Sequence, residues 1–285
     1  YVDTYGYIYS YCIRIDHNMK RGSEMTAEKA TAQEATRKVA FAKVLAIQII
    51  AYVVLVALAL VPGMMYGDAA KPAAVPFTII ASLAMVVLLV VFSPFRDGVA
   101  GHVIAAIAGL LSAICATTVM LGNVIFPAGL DGGKSFSMEE AWIAGVGGLL
   151  IVLIIVSFGR QMARENRTHL IRSLSHSVVE GVAMIASAGW CFLPVLLPTT
   201  HSRAAAMSAA SGATVDMFSN VTTTWVVAAI VTVLVAVALT VCSYFWHRDA
   251  DPEPDARSPW IGLALLPVML TGLAVGLAAL AIVVL

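Results

Sequence analysis

A short charged stretch, Gly159–Gly181, lies between two long apolar segments and contains four arginines, two histidines and two glutamates. On a helix with about 100° per residue, five of its ionisable side chains fall within an arc of about 80°. These five are Glu165, His169, Arg172, His176 and Glu180. We call the last four of them the His–Glu stripe, and it is the place where this sequence could do chemistry.

The chemistry that the His–Glu stripe could support is metal binding or acid–base catalysis at the level of the lipid headgroups. A metal would need a further ligand, and only His102 or the acidic segment His247–Trp260 could supply one. Pairing within the helix explains the same spacing without any chemistry. We therefore expect a structural stripe that faces water or the mouth of the bundle, with no metal and no cofactor. Glu180 stands out because a carboxylate at the start of an apolar span is costly.

Three arginines, Arg160, Arg164 and Arg167, point away from the His–Glu stripe, and we call them the basic cluster. Leu170, Ile171, Leu174 and Val178 lie opposite the stripe, so the stretch is predicted to be an amphipathic helix that runs into the next apolar segment. The arginines would mark the inner membrane boundary and contact anionic lipid headgroups.

The composition requires a membrane to surround these residues. Of the 285 residues, 60% are hydrophobic and only 12% are charged, and the mean hydropathy is +0.90. A soluble domain has about a quarter of its residues charged. The formal net charge is zero, so no nucleic-acid partner is expected. The sequence is typical of a protein that crosses the membrane several times.

Seven apolar segments are near the length of roughly 20 residues that a helix needs to cross the hydrocarbon. They are Val44–Val61, Ala73–Phe92, Val103–Phe126, Ala141–Phe158, Val178–Leu197, Trp225–Trp246 and Trp260–Leu285. We predict an all-α, polytopic membrane bundle of seven transmembrane helices. It follows a polar cytoplasmic segment, residues 1–43, and occupies residues 44–285.

The distribution of lysine and arginine predicts the orientation. With the N-terminus inside, fourteen of the seventeen Lys and Arg residues fall on the cytoplasmic side, as the positive-inside rule requires. The C-terminus is then outside. Trp142 and Trp225 fall at predicted outer ends and Trp246 and Trp260 at inner ends, which is typical of an aromatic belt.

Small residues predict where helices pack closely. Gly272 and Gly276 are one turn apart in the seventh span, a spacing that lets backbones approach within a bundle or between chains. A homo- or hetero-oligomer could form through such a face, and membrane lipids are the other expected partners. Pro194 and Pro267 lie inside spans and are expected to kink or locally open their helices.

Three functions remain open from the sequence. A permease-like protein for a neutral or lipidic solute fits the proline-containing spans and the sparse polar interior. A non-catalytic component of a membrane assembly fits the small-residue faces equally well. An enzyme acting on lipid headgroups has only the His–Glu stripe in its favour. No nucleotide-binding or hydrolase motif occurs. The Ala- and Val-rich composition indicates a bacterial inner membrane protein.

Overall fold

The computed structural model describes residues 41–60, 70–95, 98–119, 137–163, 170–196, 220–249 and 258–284. The chain divides into two units, Tyr1–Lys43 and Val44–Leu285, and the helical bundle belongs to the second. Within the described ranges every regular element is a helix, so the predicted all-α class is confirmed there.

Seven helices follow each other along the described parts of the chain. They are α1 (Phe41–Leu60), α2 (Ala70–Val91), α3 (Gly98–Thr117), α4 (Met138–Met162), α5 (Leu170–Ser187, continued by a 3₁₀ helix, Ala188–Leu196), α6 (Asn220–Asp249) and α7 (Pro259–Val284). Six of them are long and apolar enough to cross a membrane, whereas the apolar part of α2 is the shorter Pro76–Val91. The chain is therefore a multi-pass membrane protein by length and composition, and the count of seven crossings and the orientation stay predictions.

Two helix boundaries differ from the predicted ones in ways that matter for function. α3 begins at Gly98, five residues earlier than predicted, and this brings His102 into its second turn. α4 begins at Met138 because a capping box closes its N-terminus. There the backbone N–H of Glu140 donates to Ser137 Oγ, and the Ser137 N–H donates to Glu140 Oε2. Ser137 is thus the N-cap residue, and Glu140 completes the capping box as the third residue of the helix.

α5 is the centre of the bundle. Its candidate span, Leu174–Leu196, is 78% buried, and it packs against α2, α3, α4 and α7. The α-helix does not continue to Pro194: it changes to a 3₁₀ helix at Ala188 and remains so through Pro194. α7 remains an α-helix through Pro267.

α6 lies at the edge of the bundle. Only 11% of its span is buried, and among α2–α7 its main neighbour is α7. Its large apolar side chains, such as Val233 and Leu234, are more than half exposed. A surface of this kind suits contact with lipid tails, since the hydrocarbon is as apolar as these side chains.

Candidate functional site

Glu180 is fully buried and lies against His102. The carboxylate of Glu180, on α5, has no exposed surface, and His102 on α3 keeps 18% of its side chain exposed. The Nδ1 atom of His102 lies 2.8 Å from Glu180 Oε1 and 3.0 Å from Oε2. Both distances are those of a hydrogen bond. The pair joins two helices at the end of the bundle where α3 and α5 begin and α4 ends, which we call the inner end.

His176 lies one turn before Glu180 on α5 but contacts a different part of the protein. Its ring centroid is 4.9 Å from that of Phe95, with the ring planes at 38°. Phe95 belongs to the connection between α2 and α3, so this contact holds that connection against the start of α5. The two members of the His–Glu stripe therefore have separate surroundings.

Two buried serines accompany the pair. The hydroxyls of Ser157, on α4, and Ser177, on α5, have no hydrogen-bond partner in the described part of the chain. Leu153 of α4 packs against Gly181 of α5. Ser157 lies one turn from Leu153, and Ser177 lies one turn from Gly181, in both cases toward the inner end. Because α4 and α5 run in opposite directions here, the two serines occupy one level of the bundle, about one turn from Glu180 toward the inner end.

The predicted stripe is only partly covered by the structure. His169 lies outside the described residues, as do Arg164 and Arg167 of the basic cluster; Arg172 is within α5, but only its backbone is described. Arg160 is in the last turn of α4. The expectation that the stripe faces water or the bundle mouth is wrong at Glu180, which is buried because α3 packs over that side of α5.

His102 is the residue that sequence reasoning underestimated. It was expected to lie before the third span and to matter only as an additional metal ligand. The signal that could have found it is the apolar, small-residue run Gly98–Gly101, which allows the helix to start early. Among the described residues, no group of three or more His, Cys, Asp or Glu side chains could hold a metal ion.

Gly272 and Gly276 pack inside the chain. A Cβ atom on Gly276 would lie 2.0 Å from Cζ3 of Trp142, and one on Gly272 would lie 2.2 Å from the carbonyl oxygen of Ala186. The predicted close-packing face therefore exists, and α4 and α5 of the same chain cover it. The prediction that Trp142 belongs to an aromatic belt is wrong, because its indole has no exposed surface and donates from Nε1 to Ser112 Oγ over 3.1 Å.

A second polar cluster ties α1 to α6 and α7. The side-chain amide of Gln48 donates from Nε2 to Ser243 Oγ over 2.9 Å, while its Oε1 is buried without a partner. One turn later, the hydroxyls of Tyr52 and Thr271 are 2.9 Å apart. These contacts hold the edge helices to the bundle, as hydrogen bonds between membrane helices commonly do.

An apolar groove of about 530 Å³ runs between α1 and α2, with α7 as its floor. Its lining contains aliphatic side chains and one phenylalanine, Phe77. On α1 it extends from Ile47 to Leu58, about 16 Å at 1.5 Å rise per residue. Its volume lies within the range of about 300–1,000 Å³ that is usual for ligand pockets.

Comparison with protein-family models, curated proteins and solved structures finds no match to this chain. A function must therefore be argued from the side chains and cavities themselves, since a fold alone does not imply one. Two features offer such an argument: the apolar groove and the buried His102–Glu180 pair.

Proposed function

We propose that this protein is a permease-like membrane protein that binds and moves a lipidic solute. The observation that supports this best is the apolar groove between α1 and α2. A solute bound there meets almost no polar atoms, so it gains from leaving water and not from hydrogen bonds. This favours a molecule with a long apolar part over a neutral polar solute.

The dimensions of the groove suit one hydrocarbon chain. Its length of about 16 Å along α1 is close to half of the roughly 30 Å hydrocarbon core of a bilayer. Side chains from both walls of the groove, Ile50 at 61% and Ile80 at 64%, are exposed. A lipid tail can therefore enter sideways from the bilayer and lie parallel to the helices.

The other two functions have less support. A component of a membrane assembly is favoured by α6, which leaves most of its circumference available to another chain. The glycine face that first suggested an assembly is occupied within the chain. A headgroup enzyme would need a reachable acid or base, and the carboxylate of Glu180 has no exposed surface.

The experiment compares two alanine-to-tryptophan variants. Ala84 and Ala57 are both exposed in helices, but only Ala84 lines the groove. The purified chain is reconstituted into phosphatidylcholine–phosphatidylglycerol vesicles that contain a fluorescent phospholipid. Transfer between leaflets is followed with a membrane-impermeant quencher. Wild type and Ala57→Trp should transfer the probe, and Ala84→Trp should fall to the rate of protein-free vesicles because the indole fills the groove.

Two results would count against the proposal. If wild-type vesicles transfer the probe no faster than protein-free vesicles, the protein does not move a phospholipid and the proposal is wrong. Equal transfer rates for the two tryptophan variants would show that the solute does not move through the groove. If the wild type is inactive and a second chain co-purifies in fixed ratio, the assembly alternative is the better one.

A further inference from the structure

Glu180 is the one acidic side chain that is fully buried among the described residues. Glu139 and Glu140 lie in the first turn of α4, at the opposite end of the bundle. Removing an ionised carboxylate from water costs several kcal/mol unless a partner offsets it. Such residues inside membrane helices commonly belong to ion or proton pathways. A need to join α3 to α5 does not explain Glu180, because Gly109 of α3 already packs closely against Met184 of α5.

We propose that the His102–Glu180 pair is a proton-binding site that exchanges its proton with water at the inner end. The geometry suits this role because one partner is fully buried while the other keeps 18% of its side chain exposed. The imidazole can thus carry protons between the aqueous surface and the carboxylate. Histidine is suited to the transfer because it has two ring nitrogens that can hold a proton in turn.

The proton reaches Glu180 in two steps. A neutral His102 that carries its proton on Nδ1 accepts a second proton on Nε2 from a hydronium ion, which becomes water. It then passes the Nδ1 proton to Glu180, at the observed separation of 2.8–3.0 Å. His102 is left neutral with its proton on Nε2, and the carboxylate has become a neutral carboxylic acid. The reverse sequence releases the proton.

The unpartnered hydroxyls of Ser157 and Ser177 are a second, independent observation that points to the same site. Buried hydroxyls usually find a hydrogen-bond partner, and water often supplies it where protein does not. These two serines are at most 5% exposed, and Ser177 lies three residues, about one turn, before Glu180 on the same helix. Water bound to them would hydrate the carboxylate and assist proton exchange.

The other ionisable groups near the pair are few. We consider the described inner ends of α2, α3, α4 and α7, the helices that pack against α5. There, α2 and α7 have no ionisable side chain, α3 has His102 and α4 has Arg160. α5 itself contributes Arg172 and His176. The sequence adds a flanking set outside the described ranges, which comprises Arg96, Asp97, Arg164, Glu165, Arg167 and His169.

A set of contacts leads from His176, one helical turn from Glu180 on α5, to the inner end of the groove, and this part of the inference rests on the proposed function. His176 contacts Phe95 in the α2–α3 connection. The same connection packs against Gly262 of α7, where a Cβ atom would lie 2.3 Å from the carbonyl oxygen of Phe92. Ile261, the residue before Gly262, lines the groove. A change in the pair can therefore reach the groove through one tightly packed connection.

Infrared spectroscopy of the purified full chain tests the proton site directly. The carbonyl stretch of a protonated carboxylic acid should appear as the pH falls. One component of this band should be missing in Glu180→Gln and remain in Glu140→Gln, the control that removes an acid from the other end of the bundle; the other acidic residues of the chain give the rest of the band. In His102→Gln the midpoint of this band should move by about one pH unit or more, a tenfold change in proton affinity.

Two outcomes would overturn the proton site: a titrating band unchanged by Glu180→Gln, or a midpoint unchanged by His102→Gln. If Glu180→Gln fails to fold, the His102→Gln midpoint alone decides. The link to the groove is tested separately, by the pH dependence of phospholipid transfer in wild type and His102→Gln. An infrared band that behaves as expected in a protein without lipid transfer would retain the proton site and reject the proposed function.

Discussion

Adding one methyl group to Gly276 tests the central packing of the bundle. In Gly276→Ala the new Cβ would lie 2.0 Å from Cζ3 of Trp142 and 2.6 Å from Cη2, far inside an ordinary van der Waals contact of 3.4–4 Å. The indole would have to move by more than an ångström. Its hydrogen bond to Ser112 and its ring contact with Phe192, 5.3 Å between centroids, oppose that movement.

The expected cost follows from two opposing terms. Overpacking a well-filled core costs about 1–3 kcal/mol, and replacing glycine by alanine in a helix returns about 0.5–1 kcal/mol. The difference is about 0–2.5 kcal/mol, and because three indole atoms lie under 3.0 Å from the new Cβ, we expect Gly276→Ala to lower the free energy of unfolding by an amount in the upper half of this range. Gly147, on α4, is the matched control because a Cβ atom there meets nothing within 4 Å. Gly147→Ala should be neutral or stabilising by up to about 1 kcal/mol.

Thermal unfolding in detergent measures both variants, and a double-mutant cycle identifies the cause. Trp142→Phe removes the ring atoms that the new methyl group meets, so the cost of Gly276→Ala should shrink in that background. The coupling should be about 0.5–3 kcal/mol, the range for residues in contact. The reasoning is refuted if Gly276→Ala melts like Gly147→Ala, or if the two substitutions at Gly276 and Trp142 are simply additive.

Three further predictions concern topology, polar packing and the inner boundary. Reporter fusions in the loops predicted to be outside should report an external location, and fusions in the inner loops should report a cytoplasmic one. A cytoplasmic signal at Ser135 would contradict the seven-span order. The fusion points are Met64 and Ser135 outside, and Arg167 and Asp251 inside. Ser243→Ala should lower the free energy of unfolding by about 0.6–2 kcal/mol, because it leaves the buried amide of Gln48 without its acceptor. Adding Gln48→Leu should restore the melting temperature. A further loss of stability in the double variant would contradict this. Replacing all three arginines of the basic cluster by glutamine should reduce membrane insertion, measured by fractionation, whereas one replacement should be tolerated, since each contributes about 1 kcal/mol near an anionic surface.

The helical class and most segment positions were predictable because apolar composition is a strong signal. Runs of about 20 apolar residues specify spans whatever their neighbours are. The amphipathic continuation of α5 was also predictable, and the helix does extend back to Leu170. The early start of α3 was not, because Gly98–Gly101 is equally compatible with a turn and with a closely packed helix.

The site was predictable only as a set of residues. Helical spacing places His176 and Glu180 on one side of α5, but it carries no information about which helix covers that side. The contact between His102 and Glu180 joins residues 78 positions apart, and only the packing of α3 on α5 decides it. The prediction for Trp142 is wrong for the same reason. Its position near a helix end is typical of the membrane interface, but glycines on α5 and α7 make room for its indole inside the bundle.

The distribution of polar and apolar side chains argues for a bilayer independently of helix length. Large apolar side chains such as Ile50 and Val233 are 61% exposed, while Gln48 and Glu180 have no exposed surface. In water this arrangement would expose hydrophobic area and bury polar groups, and both effects are unfavourable. In hydrocarbon the first effect vanishes, and the second is reduced when the polar groups contact each other. Hydrophobicity then cannot decide which face of a helix turns inward. Small residues and hydrogen bonds decide it instead, and so the polar interior around His102 and Glu180 is where a specific function has to be sought.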